Sequence, residues 1–338
     1  MTSPLSPPRP VDAYFDSSSD AWVLSRYADV LAAFRDPRLR TIAISGKDQM
    51  EVRDESGKLA ARSEMQDALS HPKVAEWRES FEAGVAGVLA CLPGDRPVDL
   101  LREFARPCCL SLAAMITGVR PADTERLGEL SAAAFAGTGA AAGSETHARA
   151  AAATAELNRY FADAAFRMGE PTFVGTSQTM ARLLANGWMA LLRHPDECQR
   201  LRARPELMPG AVEELLRYAG IIPTLFRRAH TALEIGAARM EEGQRVLLMI
   251  ASANRDPEQF ADPDRLDVTR RAVNHLALGI GRNSCVGNLV IRMASAVTTG
   301  ALVRRFPRAR LVGELAWESS ASFCWPAAVP VELRNAEF

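Results

Sequence analysis

The segment LGIGRNSCVGN sets Gly279, Gly281 and Gly287 around Cys285, directly ahead of a long apolar stretch. Glycines let the backbone turn tightly and bring its N–H groups close to whatever lies over the loop. A thiol at the start of a helix also meets unpaired amides and the helix dipole, which favour the thiolate. Cys285 is therefore placed for chemistry that needs an anionic sulfur. A phosphate cradle is a competing use of such a loop, but the Walker Lys-Ser/Thr pair is missing and no strand of the expected kind leads into it. A buried cysteine in a tight turn is the plain structural alternative.

Two further groupings carry polar chemistry on helical stretches. In EELLR, Glu214 and Arg217 stand three residues apart, a spacing that puts carboxylate and guanidinium on one helix face. In VGTSQTMARLL, Gln178 and Thr179 lie among small residues. The amide of Gln178 can orient water but cannot gain or lose a proton at neutral pH. Thr179 can equally be a packing residue that bonds its own backbone. The other five cysteines, Cys91, Cys108, Cys109, Cys198 and Cys324, form no CxxC pair and are too sparse for a disulfide scaffold, so most are expected as small buried hydrophobes.

The elements that must position these residues are mostly helical. A strand and then a helix capped near Asp29 are expected before Pro37, followed by a polar loop over about residues 41–57. Helices are expected over about 58–69, 72–92, 98–117, 122–135 and 145–168, then a helix of about twenty residues after Pro171 that ends at His194 and Pro195. Shorter helices follow near about 196–203 and 207–219. The period then becomes alternating, which predicts strands over about 224–235 and 244–251 and again in the tail segments ARLVGELAW and AVPVELR. No repeat or linker divides the chain, so a single domain over residues 1–338, mainly α with small β-sheets, is the economical reading.

Composition limits the function classes. Forty Lys and Arg balance forty-one Asp and Glu for a net charge of -1, so no global field favours nucleic acid or a polybasic membrane contact. With 48% hydrophobic and 24% charged residues the chain can bury a core. The first twenty residues have no basic start followed by an apolar stretch, and nowhere do eighteen apolar residues run together, so neither a signal peptide nor a membrane span is expected and the location is read as cytoplasmic.

The loop around Cys285 resembles the iron-ligand loop of the cytochrome P450 family, Phe-Gly-x-Gly-x-His-x-Cys-x-Gly, with Leu278 in place of the Phe and Asn283 in place of the His. EELLR is similar to the ExxR pair of that family, and NRDPEQFADPDRLD matches its NRDPxxFxDPxxFD segment at most fixed positions. Anchoring on Asn186 and LLRHP aligns Gly175 to Thr179 with the oxygen-binding turn of the central helix, where Thr179 keeps the alcohol and Gln178 replaces the acid. The resemblance runs over nearly the whole chain, except that only six residues separate Met168 from Gly175 where relatives carry another helix and the first half of the central one.

The resemblance implies a cytochrome P450 fold shortened ahead of the central helix, holding haem b with Cys285 as axial iron ligand. It implies Arg62, Arg227, Lys58, Asn283, His275 and Gly279 around the cofactor, and Thr179 and Gln178 on the oxygen side. Thr176, the segment Ile221 to Leu225 with Ile222 and Thr224, and Phe323 would face substrate. A framework triad would join Glu214, Arg217 and Arg265. The activity implied is a monooxygenase of bacterial secondary metabolism acting on a small organic molecule with O2 and electrons from a separate ferredoxin or flavodoxin, docked near Arg282. The thinned wall suits a bulky or tethered substrate or a homo-oligomer that closes it. Two alternatives stand beside this reading. One is an atypical haem-thiolate enzyme that uses peroxide, couples radicals or rearranges a peptide or carrier-tethered substrate; the other is a haem-free accessory protein.

Overall fold

A computed structural model describes residues 6–41, 55–162, 168–271, 273–319 and 322–333. Its helices are α1 Tyr27–Arg35, α2 Glu55–Ala68, α3 His71–Ala90, α4 Arg106–Thr117, α5 Pro121–Ala136, α6 Glu145–Phe161, α7 Glu170–Val174, α8 Ala181–Leu192, α9 Pro195–Ala203, α10 Met208–Ala219, α11 Ile250–Ala253 and α12 Asn288–Arg305. A π-helical segment, Gly175–Met180, joins α7 to α8, so one central helix runs from Glu170 to Leu192. Every residue of α8 from Ala181 to Leu191 is buried, as expected of a helix wrapped on all sides. At its middle Trp188 stacks on Phe104 with ring centroids 4.9 Å apart, and its indole N–H donates to Thr299 Oγ1 of α12 at 3.1 Å.

The strands are β1 Tyr14–Asp16, β2 Ala21–Leu24, β3 Leu39–Thr41, β4 Val98–Asp99, β5 Leu225–Ala229, β6 Leu233–Ile235, β7 Ala238–Met240, β8 Arg245–Leu248, β9 Arg310–Leu311, β10 Trp317–Ser319, β11 Cys324–Pro326 and β12 Pro330–Glu332. They form a five-stranded sheet in the order β1-β2-β8-β5-β3 and three smaller ones, β4-β12-β9, β6-β7 and β10-β11. The larger sheet and α1 enclose one apolar cluster, and the helices enclose another.

Several local expectations needed correcting. The stretch 224–235 is two strands, because β6 turns at Gly236 (φ 55°) to pair with β7 instead of continuing β5. Asp29 lies inside the first turn of α1; the cap comes from the distant Asp256, whose Oδ2 accepts the Tyr27 N–H at 2.8 Å. The helix expected from 98 begins as β4 and a π turn, Leu100–Ala105, with the Asp99 side chain accepting the Leu101 N–H. Cys91 is exposed rather than buried.

Glu214 is fully buried and forks onto Arg217, with Nε–Oε2 and Nη2–Oε1 distances of 2.8 Å. The third member of the cluster is Arg270, whose Nε donates to Glu214 at 3.1 Å. Arg265, expected in that place, is exposed and contributes only its carbonyl, which accepts from Arg217 and Arg270. The spacing along NRDPEQFADPDRLD did not reveal that the turn after Asp262 (φ 47°) would carry the Arg265 side chain outward and bring Arg270 back.

Candidate active site

The cysteine loop is built by backbone geometry. Gly279 and Gly281 adopt φ of 66° and 68°, the left-handed region that side-chain-bearing residues avoid. A Cβ on Gly279 would also stand 3.1 Å from the Asn283 carbonyl oxygen. The turn so formed lets the Cys285 N–H reach the Leu278 carbonyl at 2.7 Å. The N–H of Gly287 bonds the Cys285 sulfur, and Arg62 and Arg292 add positive charge near it. Burial nevertheless outweighs these and pushes the free thiol up. The expectation that the helix end by itself makes a thiolate is therefore corrected: the loop lowers the cost of sulfur charge, and a bound cation has to supply the rest.

A clasp absent from the sequence reading holds both ends of this loop. Asn288 Nδ2 donates to the Cys285 carbonyl at 3.0 Å, and its Oδ1 accepts from Arg292 Nη1 at 2.9 Å. Arg292 Nε and Nη2 fork onto Glu213 at 2.7 and 2.9 Å. Glu213 Oε2 in turn meets His275 Nε2 at 3.2 Å, while His275 Nδ1 accepts the Ala277 N–H at 3.1 Å. Burial raises the Glu213 carboxyl, but the bonds from His275 and Arg292 win and bring it down to about 2. Both His275 ring nitrogens are thus engaged in the clasp. A signal was present, in that Glu213 precedes Glu214 in EELLR, but the pair motif drew attention to one acid only.

Arg62 on α2 reaches the loop, with Nη2 bonding the Ser284 carbonyl and its Oγ, the latter at 2.9 Å. Arg227 is 3% exposed in β5, paired with Thr41 and Val246, with its guanidinium 5.8 Å from the Phe34 ring centroid. Asn283 is half-buried in the short turn before Cys285. The side chains of Lys58 and Arg282, and residues 42–54 of the expected polar loop, lie outside the described residues.

On the central helix the π segment falls on the five residues singled out from sequence plus Met180. Such wide turns break the regular i to i−4 ladder and are frequent at functional sites. A Cβ on Gly175 would meet nothing within 4 Å, which marks open space along this turn. Thr179 is half-buried and Thr176 is buried. Gln178 is turned toward α5, where its Nε2 donates to Ser131 Oγ at 2.8 Å and its Oε1 accepts from Arg182 Nη1 at 3.0 Å. Ser177 Oγ lies 3.1 Å from the same Ser131 hydroxyl.

The tail hairpin closes the same region. The Cys324 N–H donates to the Ile221 carbonyl at 2.9 Å, and Asn186 Nδ2 donates to the Cys324 carbonyl at 3.1 Å. Phe323 packs edge-on to Phe135 at 5.5 Å. The segment carrying Ile222 and Thr224 is thereby brought beside the hairpin carrying Phe323. Ser131, Arg182 and Arg106 were missed; a lone arginine in the otherwise apolar α8 was the available signal for Arg182.

A preformed thiol cradle, open space beside a Gly-lined π turn and the cations Arg62 and Arg292 near the loop fit an iron porphyrin held by a thiolate. The sequence model of the family described as cytochrome P450 matches residues 174–310. The chain is 28% identical to cytochrome P450 107B1 of Saccharopolyspora erythraea, covering 89% of this chain and 86% of that one. It is 29% identical to the mycinamicin VIII C21 methyl hydroxylase of Micromonospora griseorubida, covering 88% and 85%. The ligand-free P450 monooxygenase TamI superposes with a TM-score of 0.79 at 31% identity, covering 93% and 84%. The chain belongs to the cytochrome P450 family: it is a haem b-dependent oxidoreductase of the monooxygenase class. The haem supplies oxygen activation when bound. Among the described residues no helix is long and apolar enough to cross a membrane.

Proposed function

We propose that the chain, as one domain over residues 1–338, oxidises a small organic molecule in bacterial secondary metabolism, using O2 and electrons from a separate ferredoxin or flavodoxin. Cys285 is the axial ligand in this reading; Gly279 and Asn283 shape the loop, and Arg62, Arg227 and Lys58 serve the haem carboxylates, for which guanidinium forks are suited. Thr179 holds water at the open turn and Gln178 orients it, while Thr176, Ile222, Thr224 and Phe323 shape the substrate space. The observation that carries the proposal is the cysteine loop, in which the Gly287 N–H bonds the sulfur and a four-residue clasp fixes the backbone that presents it.

The peroxide-using alternative draws support from Gln178, which replaces an acid and is committed to Ser131 and Arg182. The two readings separate in one experiment. Candidate pathway intermediates are incubated with the haem-loaded protein and either ferredoxin, ferredoxin reductase and NADPH, or hydrogen peroxide alone. Product formed only with the electron donors is expected. Product with peroxide and none with the donors overturns the proposed oxidant and favours the alternative.

A further inference from the structure

A groove of about 1130 Å³ runs between α4 and α5, with Arg102, Arg106, Arg120, Glu125 and Glu129 on its walls and Gln178 on its floor. Arg102 pairs with Asp99 at 3.4 Å and Arg120 with Asp123 at 2.8 Å. Arg106 differs from both, because its Nε is buried with no hydrogen-bond partner among the described residues. One bond behind the floor lies Arg182, 6% exposed, whose Nη1 holds the Gln178 carbonyl and amide oxygen while its Nε has no partner either. Its guanidinium is stacked 4.1 Å from the Phe135 centroid and 5.2 Å from that of Trp325.

These two cations are electrostatically coupled. Burial lowers both guanidinium groups, Arg182 to about 10; Arg106 adds to the lowering of Arg182, and Arg102 adds to that of Arg106. The acid that acts on both is Glu318, which is exposed and already accepts the Trp325 indole N–H at 2.8 Å; Asp99 acts on Arg106 alone. Two like charges in a desolvated place are strongly destabilising unless an anion completes the arrangement. Guanidinium N–H groups left open beside aromatic rings are suited to an oxyanion attached to an apolar body.

We infer that the inner end of the α4–α5 groove binds the oxyanion of a small molecule, a carboxylate or phosphate, through Arg106 with Arg182 behind it. This site stands apart from the proposed substrate space, since Thr176, Thr179, Ile222, Thr224 and Phe323 are not among the residues that line the groove, and it is tested by binding without turnover. Ser177 and Gln178 are the central-helix residues that line the groove, and both side chains face Ser131 of α5.

The test is calorimetric titration of the haem-loaded protein with sodium octanoate, neutral octanamide and inorganic phosphate, on the wild type and on Arg106→Gln. Saturable octanoate or phosphate binding is expected, weakened about tenfold or more in Arg106→Gln, since one charge-assisted hydrogen bond is worth that factor. Octanoate binding without phosphate binding assigns a carboxylate on an apolar body, and the reverse assigns a phosphate; either supports the site. Octanamide binding as tightly as octanoate, or anion binding unchanged in Arg106→Gln, overturns it. Arg102→Gln, at an exposed and already paired arginine, is the control and should weaken binding far less. The carbon monoxide complex of reduced Arg106→Gln should keep its thiolate absorption, which separates failure of this site from failure of the haem reading.

Discussion

Replacing Glu213 by Gln removes the charge at the centre of the clasp while keeping its shape. Glu213 accepts from Arg292 and meets His275, and an amide would turn an NH2 group toward one of those donors. Holding this carboxyl at about 2, against an ordinary 4.5, corresponds to roughly 3 kcal/mol of folding stability. Because the Arg292 side chain is 38% exposed, solvent screening reduces this to about 1–2 kcal/mol. The sign follows from the lowered value: the contribution is present above pH 4.5 and is lost as pH falls through about 2, below which both folded and unfolded states are protonated. Urea unfolding of the haem-loaded protein, followed by haem absorption, should therefore show Glu213→Gln about 1–2 kcal/mol less stable than wild type at neutral pH, with the gap narrowing on acidification. A second readout is specific to the loop. With its ends loosened, a larger share of the reduced carbon monoxide complex should lose the strongly red-shifted Soret band of sulfur ligation. A variant with full neutral-pH stability, or a gap that stays constant down the acid limb, would refute the reasoning.

The correction at the buried ion pair predicts that Arg270→Ala costs about 2 kcal/mol, because it leaves part of the Glu214 carboxylate uncompensated, whereas Arg265→Ala changes stability by less than about 0.5 kcal/mol. Equal effects in a urea comparison would restore Arg265 to the triad. Gln178→Glu places a carboxylate beside the incompletely paired Arg182 and should stabilise the protein by about 1 kcal/mol. In ferredoxin-driven assays it should also raise product formed per NADPH consumed, and unchanged stability together with unchanged coupling would sink both parts of that expectation. The Gly-rich loop predicts in addition that Cys285→Ser abolishes the red-shifted carbon monoxide band while the fold, read by far-ultraviolet circular dichroism, survives.

Periodicity located nearly every helix because a helix writes its buried face into local spacing, as in the stretch leading into Arg217. The strand breaks were less legible. Whether residues 224–235 make one strand or two depends on where Gly236 turns and which partner is nearer, and local propensity does not carry that information.

The sequence by itself determined the thiol, its glycines and its family likeness, since ligand chemistry and left-handed backbone positions are properties of individual residues. Tertiary structure decided the partners: Arg270 instead of Arg265 on Glu214, His275 on Glu213, and Gln178 on Ser131 and Arg182. Long flexible side chains on separate elements select partners by distance and desolvation, which exist only after the elements have packed.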